Sequence, residues 1–204
     1  LKEARREDES LLREAFSSIE TGNSDLRLRR IIHNDFFAKV NAHKNPKVIV
    51  AWKGEEIAGS GAYSIRTGML NGKPGKIGYL FNLFVSDEYR RKGVARKLTR
   101  KLEEELRDGG VDLIFLAVQG GNTPIMNLLS QEGFELYRKV ANPGFAVTRS
   151  KELSGPFIVK TGAEASRTDL EAATALVNKT WEEADLFEPY TLDSLEELID
   201  RMPG

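Results

Sequence analysis

The chain has 204 residues, 40% hydrophobic and 8% aromatic, enough for one globular domain or one domain with an extension. Its 30 basic and 31 acidic residues leave a net charge of −1, which argues against a dedicated nucleic-acid binder. With no cysteine, thiolate catalysis, disulfides and zinc–thiolate sites are excluded. No apolar run reaches the ~18 residues a membrane helix needs, and no signal-peptide pattern opens the chain. A cytoplasmic location, with no membrane and no nucleic-acid partner, is the expectation. The chain opens on Leu1 rather than Met and stops at Met202-Pro203-Gly204; neither end is expected to be natural.

Leu1-Lys2-Glu3-Ala4 reads as the end of a first strand, and Arg6-Glu7-Asp8 leads into a helix to about Ile19. Thr21-Gly22-Asn23-Ser24 breaks it, and Asp25 to Val40 is expected as a second helix. Pro46 to Trp52 and Glu56 to Arg66 are expected strands around the tight turn Lys53-Gly54-Glu55. Thr67 to Lys76, with Gly68, Asn71-Gly72 and Pro74-Gly75, reads as a longer hairpin loop. Gly78-Tyr79-Leu80-Phe81-Asn82-Leu83-Phe84-Val85 is an apolar run of the kind buried on both faces. It enters a basic turn and then a helix with Val94, Leu98, Leu102 and Leu106 on one face at a four-residue period. Gly109-Gly110 follows, and Val111 to Val118 is a second buried strand. Asn122-Thr123-Pro124 is a turn, with Thr123 the expected N-cap and Pro124 the first helical residue. That helix runs to about Glu132, Gly133-Phe134 opens another strand, and Phe145 to Ser150 is a last short one. The order β-α-α-β-β-β-α-β-α-β predicts a mixed α/β fold with a helix between two parallel strands.

The stretch Arg90-Arg91-Lys92-Gly93-Val94-Ala95 carries the most chemistry. A strand, a turn and a helix start bring free backbone N–H groups together, and the helix dipole adds positive potential, so a polyphosphate is the expected ligand. Gly93 lets the backbone approach it closely, Ala95 keeps the next turn lean, and Arg90, Arg91, Lys92, Arg96 and Lys97 add charge. Neither the P-loop spacing, Gly-x-x-x-x-Gly-Lys, nor the dinucleotide spacing, Gly-x-Gly-x-x-Gly, is present. The spacing that is present, Arg-x-x-Gly-x-Ala, is followed by Asn122-Thr123-Pro124, a short helix and Gly133-Phe134. This series resembles the pyrophosphate loop, Asn-containing turn and Gly-Phe pair of the GNAT N-acetyltransferase superfamily, in the same order and separation, over roughly residues 1–150.

The resemblance implies a GNAT-like fold, with a mixed, mostly antiparallel twisted sheet whose parallel central strands splay apart, flanked by helices. Residues 1–150 would form the GNAT domain, 151–156 a linker and 157–204 a C-terminal α/β extension. Phe157 to Lys160 as a strand, a helix from Arg167-Thr168-Asp169 to about Glu183, and Leu192 to Met202 as a helix repeat the opening of the chain. The extension is therefore either a partial second GNAT-like domain, with first strand and two helices, or a helical extension packed on the first domain. A piece of ~50 residues buries too little surface to stand alone, so a homodimer or packing against a missing second domain is expected.

The implied activity is transfer of an acetyl group from acetyl-CoA to a primary amine by direct attack, with no metal. The alternative is an acyl-CoA-binding sensor or structural domain with little or no catalysis. The implied cofactor residues are Leu83, Phe84 and Val85 along the pantetheine arm; Arg90, Arg91, Lys92, Gly93, Val94, Ala95 and Arg96 around the pyrophosphate; and Asn122. A kink in the family's strand frees an N–H for the thioester oxygen, an oxyanion contribution worth ~10²–10³ in rate. The catalytic groups depart from the family pattern. The position of its Tyr acid is Leu129, with Ser130 next door, and its strand carboxylate is replaced by Tyr79, Phe81 and Asn82. Tyr79 and Asn82 as water-positioning groups and His33 as a base are the candidates, with His43 and Asp35 nearby in sequence; each also has a plain structural reading. Lys73 and Lys76 border the acceptor mouth or are simply solvated.

Overall fold

The computed structural model describes residues 1–17, 19–22, 27–29, 35–140, 158 and 160–201. Along the chain, β1 (Lys2–Glu3) and a short 3-10 turn precede α1 (Glu9–Ser17). A hairpin of β2 (Glu20–Gly22) and β3 (Arg27–Arg29) leads to α2 (Phe36–Val40), β4 (Lys47–Lys53), β5 (Glu56–Leu70) and β6 (Lys73–Val85). Next come α3 (Val94–Asp108), β7 (Leu113–Leu116) and α4 (Thr123–Gln131), and after them α5 (Arg167–Trp181) and α6 (Leu192–Arg201). The main sheet has five strands in the order β1-β4-β5-β6-β7, antiparallel except for the parallel pair β6–β7.

The alternation along β4 decides the layering. Val48 and Val50 point to one face, where they join Leu12 and Phe16 of α1 and Phe36 and Val40 of α2. Ile49 and Ala51 point to the other, under Leu98, Leu102 and Leu106 of α3. The four-residue stripe read from the sequence is therefore the buried face of α3. It lies over a lean track of glycines. A Cβ added at Gly59 would meet Leu98 Cδ1 at 3.2 Å, at Gly61 Leu102 Cδ1 at 2.7 Å, and at Gly78 Leu106 Cδ2 at 2.8 Å. The helix can approach the sheet this closely because those three positions carry no side chain.

Several sequence expectations are corrected. Among the described residues, the helix expected over Asp25 to Val40 is present only as α2, and Arg27–Arg29 is strand, paired with β2. Asp35 explains the late start. Its backbone is extended (φ −156°) and its carboxylate accepts the Phe37 N–H at 2.8 Å, which fixes the N-cap there. The expected loop Thr67 to Lys76 is strand for most of its length, because Asn71 and Gly72, both at positive φ (51° and 72°), close a two-residue turn between β5 and β6. Gly133-Phe134 opens no strand: residues 134–140 are coil. Instead Gly133 (φ 89°) and Phe134 end α4, their N–H groups donating to Ser130 O at 3.2 Å and Leu129 O at 2.9 Å, a Schellman arrangement. Of the strand expected over 157–160, residues 158 and 160 are coil, so the described part of the extension consists of α5, α6 and a 3-10 turn. The strand expected over Phe145 to Ser150 and the linker 151–156 lie outside the described residues.

Gly59→Ala tests the packing directly, since its Cβ would sit 2.6 Å from the Phe84 carbonyl oxygen, a backbone atom that cannot swing away. It should lower unfolding free energy by ~1–3 kcal/mol. Gly120→Ala, into open space, should stay within ~0.5 kcal/mol of wild type in the same chemical denaturation experiment.

Candidate functional site

The turn between β6 and α3 is anchored to the start of β5. The Ser86 N–H donates to Ala58 O at 3.0 Å, its hydroxyl to Ile57 O at 2.8 Å, and the Tyr89 hydroxyl to Glu56. Arg91 (φ 61°) and Gly93 (φ 78°) then turn the chain through two left-handed residues into α3. The first α3-side N–H with a backbone acceptor is that of Lys97, on Gly93 O at 3.1 Å; among the described residues those of Arg91 through Arg96 have none. Nothing lies within 4 Å of a Cβ placed at Gly93, so the space in front of these N–H groups is open. Not all of the cations expected around this turn are free. Arg90 pairs with Asp87 at 2.7 Å, and Arg96 with Glu132 at 2.8 Å. Lys92 stands over the Tyr89 ring.

Arg96 and Arg100 both close on Glu132, at 2.8 and 2.6 Å, although its side chain is only 6% exposed. They tie the end of α4 to the first turns of α3, and the hydrogen bond from Arg100 holds the Glu132 carboxyl below its ordinary range. At the other end of α4 the N-cap is Asn122, one residue before the expected Thr123, with Pro124 inside the first turn. The Asn122 side chain makes no capping hydrogen bond, which leaves its amide available at the same end of the sheet.

β6 has two irregularities in the same place. Gly61 of β5 faces both Asn82 and Leu83, so the ladder carries a bulge, and Asn82 takes the left-handed conformation (φ 50°) that Asn tolerates better than most residues. Neither Asn82 nor Leu83 has a cross-strand partner. On the other edge, β6 pairs with β7 only from Ile77–Leu113 to Leu80–Leu116. From Phe81 to Val85, β6 runs on without β7, and among the described residues a free backbone edge leads from the bulge to the basic turn.

Rings stack along β6 before the bulge. Tyr79 lies between Phe115 (4.8 Å) and Phe81 (5.3 Å), and His43 closes on Phe81 at 4.2 Å and Tyr79 at 5.5 Å. Burial, reinforced by the nearby charges of Lys39 and Arg66, pushes the His43 pKa down, so the imidazole is neutral at neutral pH. Tyr79 and Asn82 do converge here, but Asn82 does so as a backbone feature. His33 lies outside the described residues. Asp35 spends its carboxylate on the Phe37 N–H and on Arg6 at 2.8 Å. Lys76 is turned away, donating to Gly109 O at 2.9 Å at the end of α3. Leu129 is buried and Ser130 exposed. Nothing in the sequence favours His43 over His33; the three-dimensional stack singles out His43. Arg66, beside Phe115 at 5.9 Å, was equally silent.

A bulged strand that outruns its parallel neighbour and ends at an N–H-rich turn before a helix is the arrangement that the resemblance implies. The family model "Acetyltransferase (GNAT) family" matches residues 9–134, more than half of the chain, and the chain belongs to that family. Among solved structures it is similar to an aminoglycoside antibiotic 6'-N-acetyltransferase from Acinetobacter haemolyticus. That likeness has 18% identity and a TM-score of 0.53, and covers 72% of this chain and 97% of that one. It is also similar to a mutant protein from Bacillus halodurans, with 16% identity and a TM-score of 0.57, over 71% of this chain and 98% of that one. At these identities the likeness establishes the fold. No curated protein sequence matches the chain. Among the described residues, no helix is long and apolar enough to cross a membrane.

The Glu132 clamp has a pH signature. Because its pKa is lowered in the fold, its stabilisation is complete above the ordinary carboxylate value of ~4.3 and is lost as pH falls through the lowered one. Between about pH 6 and about pH 3 the melting temperature of Glu132→Gln should therefore fall less than that of wild type, followed by circular dichroism.

Proposed function

We propose that this chain is an acetyl-CoA-dependent N-acyltransferase acting on a primary amine, with residues 1–150 as the acetyltransferase domain. The observation that carries the reading is the continuity of three backbone features. The Asn82–Leu83 bulge, whose residues have no ladder partner, the edge Leu83-Phe84-Val85 that β7 leaves uncovered, and the N–H groups of Arg91 through Arg96 follow one another along a single path. A CoA thioester has three matching parts: a carbonyl that needs an oxyanion donor, a pantetheine arm with strand-like amides, and a pyrophosphate. Gly93 and Ala95 leave room for the phosphates, Arg91 and Lys92 bring charge, and Asn122 stands at the start of α4 on the far side. A neutral amine then attacks the thioester carbon, the oxyanion is held at the bulge, and the C–S bond breaks. His43, half-buried and neutral, is the group that takes the amine proton. Tyr79 forms the wall on which the imidazole lies.

A second reading, an acyl-CoA-binding sensor, is favoured by one observation. The buried Leu129 offers no proton to the departing thiolate, and Ser130 faces solvent. A thiol with a pKa of ~8.5 leaves tolerably without help, which is why the enzyme is the reading adopted.

Calorimetric titration of acetyl-CoA should give binding to wild type that is abolished in Gly93→Trp, whose side chain would fill the phosphate space; absence of binding to wild type overturns both readings. With a panel of primary amines, wild type should release free thiol. Binding without thiol release from any amine would favour the sensor. His43→Gln should keep acetyl-CoA affinity and lose ~10²–10⁴ in kcat/KM, measured by the same thiol assay.

A further inference from the structure

β4 stops pairing with β5 at Lys47–Tyr63, so beyond Tyr63 that edge of β5 is open to another chain segment. Residues 185–188, between α5 and α6 and beyond the family-matched region, fill it. The Met69 N–H donates to Phe187 O and the Leu186 N–H to Met69 O, both at 2.8 Å, while the Asn71 N–H donates to the Asp185 carboxylate at 2.7 Å. Gly68 leaves room for this, since a Cβ there would come within 3.2 Å of Phe187 O. Leu186 is held at φ 68°, an unfavourable conformation for a leucine that persists only where the surroundings impose it. Its carbonyl accepts from Arg66 at 2.8 Å. The segment thus delivers Glu188, half-buried, to a particular place. Its carboxylate meets Lys44 at 2.6 Å and Arg66 at 3.8 Å. Lys44 is the residue after His43, and Arg66 lies beside Phe115, so Glu188 bridges two cations that adjoin members of the ring stack His43–Phe81–Tyr79–Phe115.

We propose that Glu188 is a positioning residue of the acceptor site, a carboxylate that ties Lys44 to Arg66 and so holds His43 against Tyr79 and Phe81. Its bearing on acyl transfer rests on the reading of His43 as the base; its effect on His43 does not. The charged and titratable groups around the imidazole are Lys39 from α2, Lys44 next to it, Arg66 from β5, Tyr79 from β6 and Glu188 itself. Loss of the tie lets the imidazole rehydrate and Arg66 move off, both of which raise its pKa. Loss of a negative charge alone would lower it. The sign therefore separates positioning from simple electrostatics.

The chain has two histidines, so a His33→Gln background leaves His43 as the single imidazole signal in a proton NMR titration of the full-length protein. In that background Glu188→Gln should move the His43 midpoint upward toward ~6.5. Lys44→Gln should do the same, and the double variant should move it no further than the larger single shift. An unchanged or downward-shifted midpoint in Glu188→Gln overturns the proposal. Should that variant fail to fold, Glu188→Asp decides: it keeps the charge and shortens the tie, so an upward midpoint supports positioning and an unchanged one overturns it. Acetyl-CoA titration of the same samples keeps the two questions apart: failure to bind would sink the acyltransferase reading and leave the His43 result standing.

Discussion

The candidate site depends on β6 being paired on both sides for part of its length and on one side for the rest. Unpaired backbone near a sheet centre is unfavourable unless something satisfies it, and β7 ends at Leu116, opposite Leu80, so it leaves the rest of β6 uncovered. Two packing features flank that edge. Leu98, Leu102 and Leu106 seat α3 on Gly59, Gly61 and Gly78, which fixes the helix close above β5 and β6. Arg96 and Arg100 then hold the end of α4 through Glu132, which sets the far wall of the opening. The N-terminus of α3 is thereby aimed at the end of the free edge, and the cradle of N–H groups lies where that edge stops.

The sequence revealed this part of the fold because its signals are local. The four-residue stripe of α3, the apolar run of β6, the basic turn at Gly93 and the Gly133-Phe134 pair each depend on neighbours within a few residues. Even there, the meaning of a signal shifted: Gly133-Phe134 is a helix stop rather than a strand opener, and Asn71-Gly72 is a two-residue turn inside what reads as a long loop. The helix expected from Asp25 failed for a related reason. Its apolar spacing fits a helix, but the cap at Asp35 places the start ten residues later, and the hairpin before it is held by pairing between β2 and β3.

The polar chemistry was less legible because it is assembled from distant residues. His43, Arg66, Tyr79, Phe115 and Glu188 come from five separate places in the chain, and none has a distinguishing local context. The proposed oxyanion position is also hidden from sequence, since the bulge is a property of the backbone at Asn82 and Leu83 rather than of either side chain. The basic turn lies within the family-matched region, whereas the ring stack is met by residues 185–188, which lie beyond it.

The central claim is that one continuous backbone path, from the bulge to the α3 N-terminus, receives a CoA thioester. Amide hydrogen exchange resolved by residue, with and without acetyl-CoA, tests it most directly. The account predicts slowed exchange at Asn82 through Val85 and at Arg91 through Arg96 together. Slowed exchange elsewhere, with both stretches unchanged in the presence of bound acetyl-CoA, would contradict it.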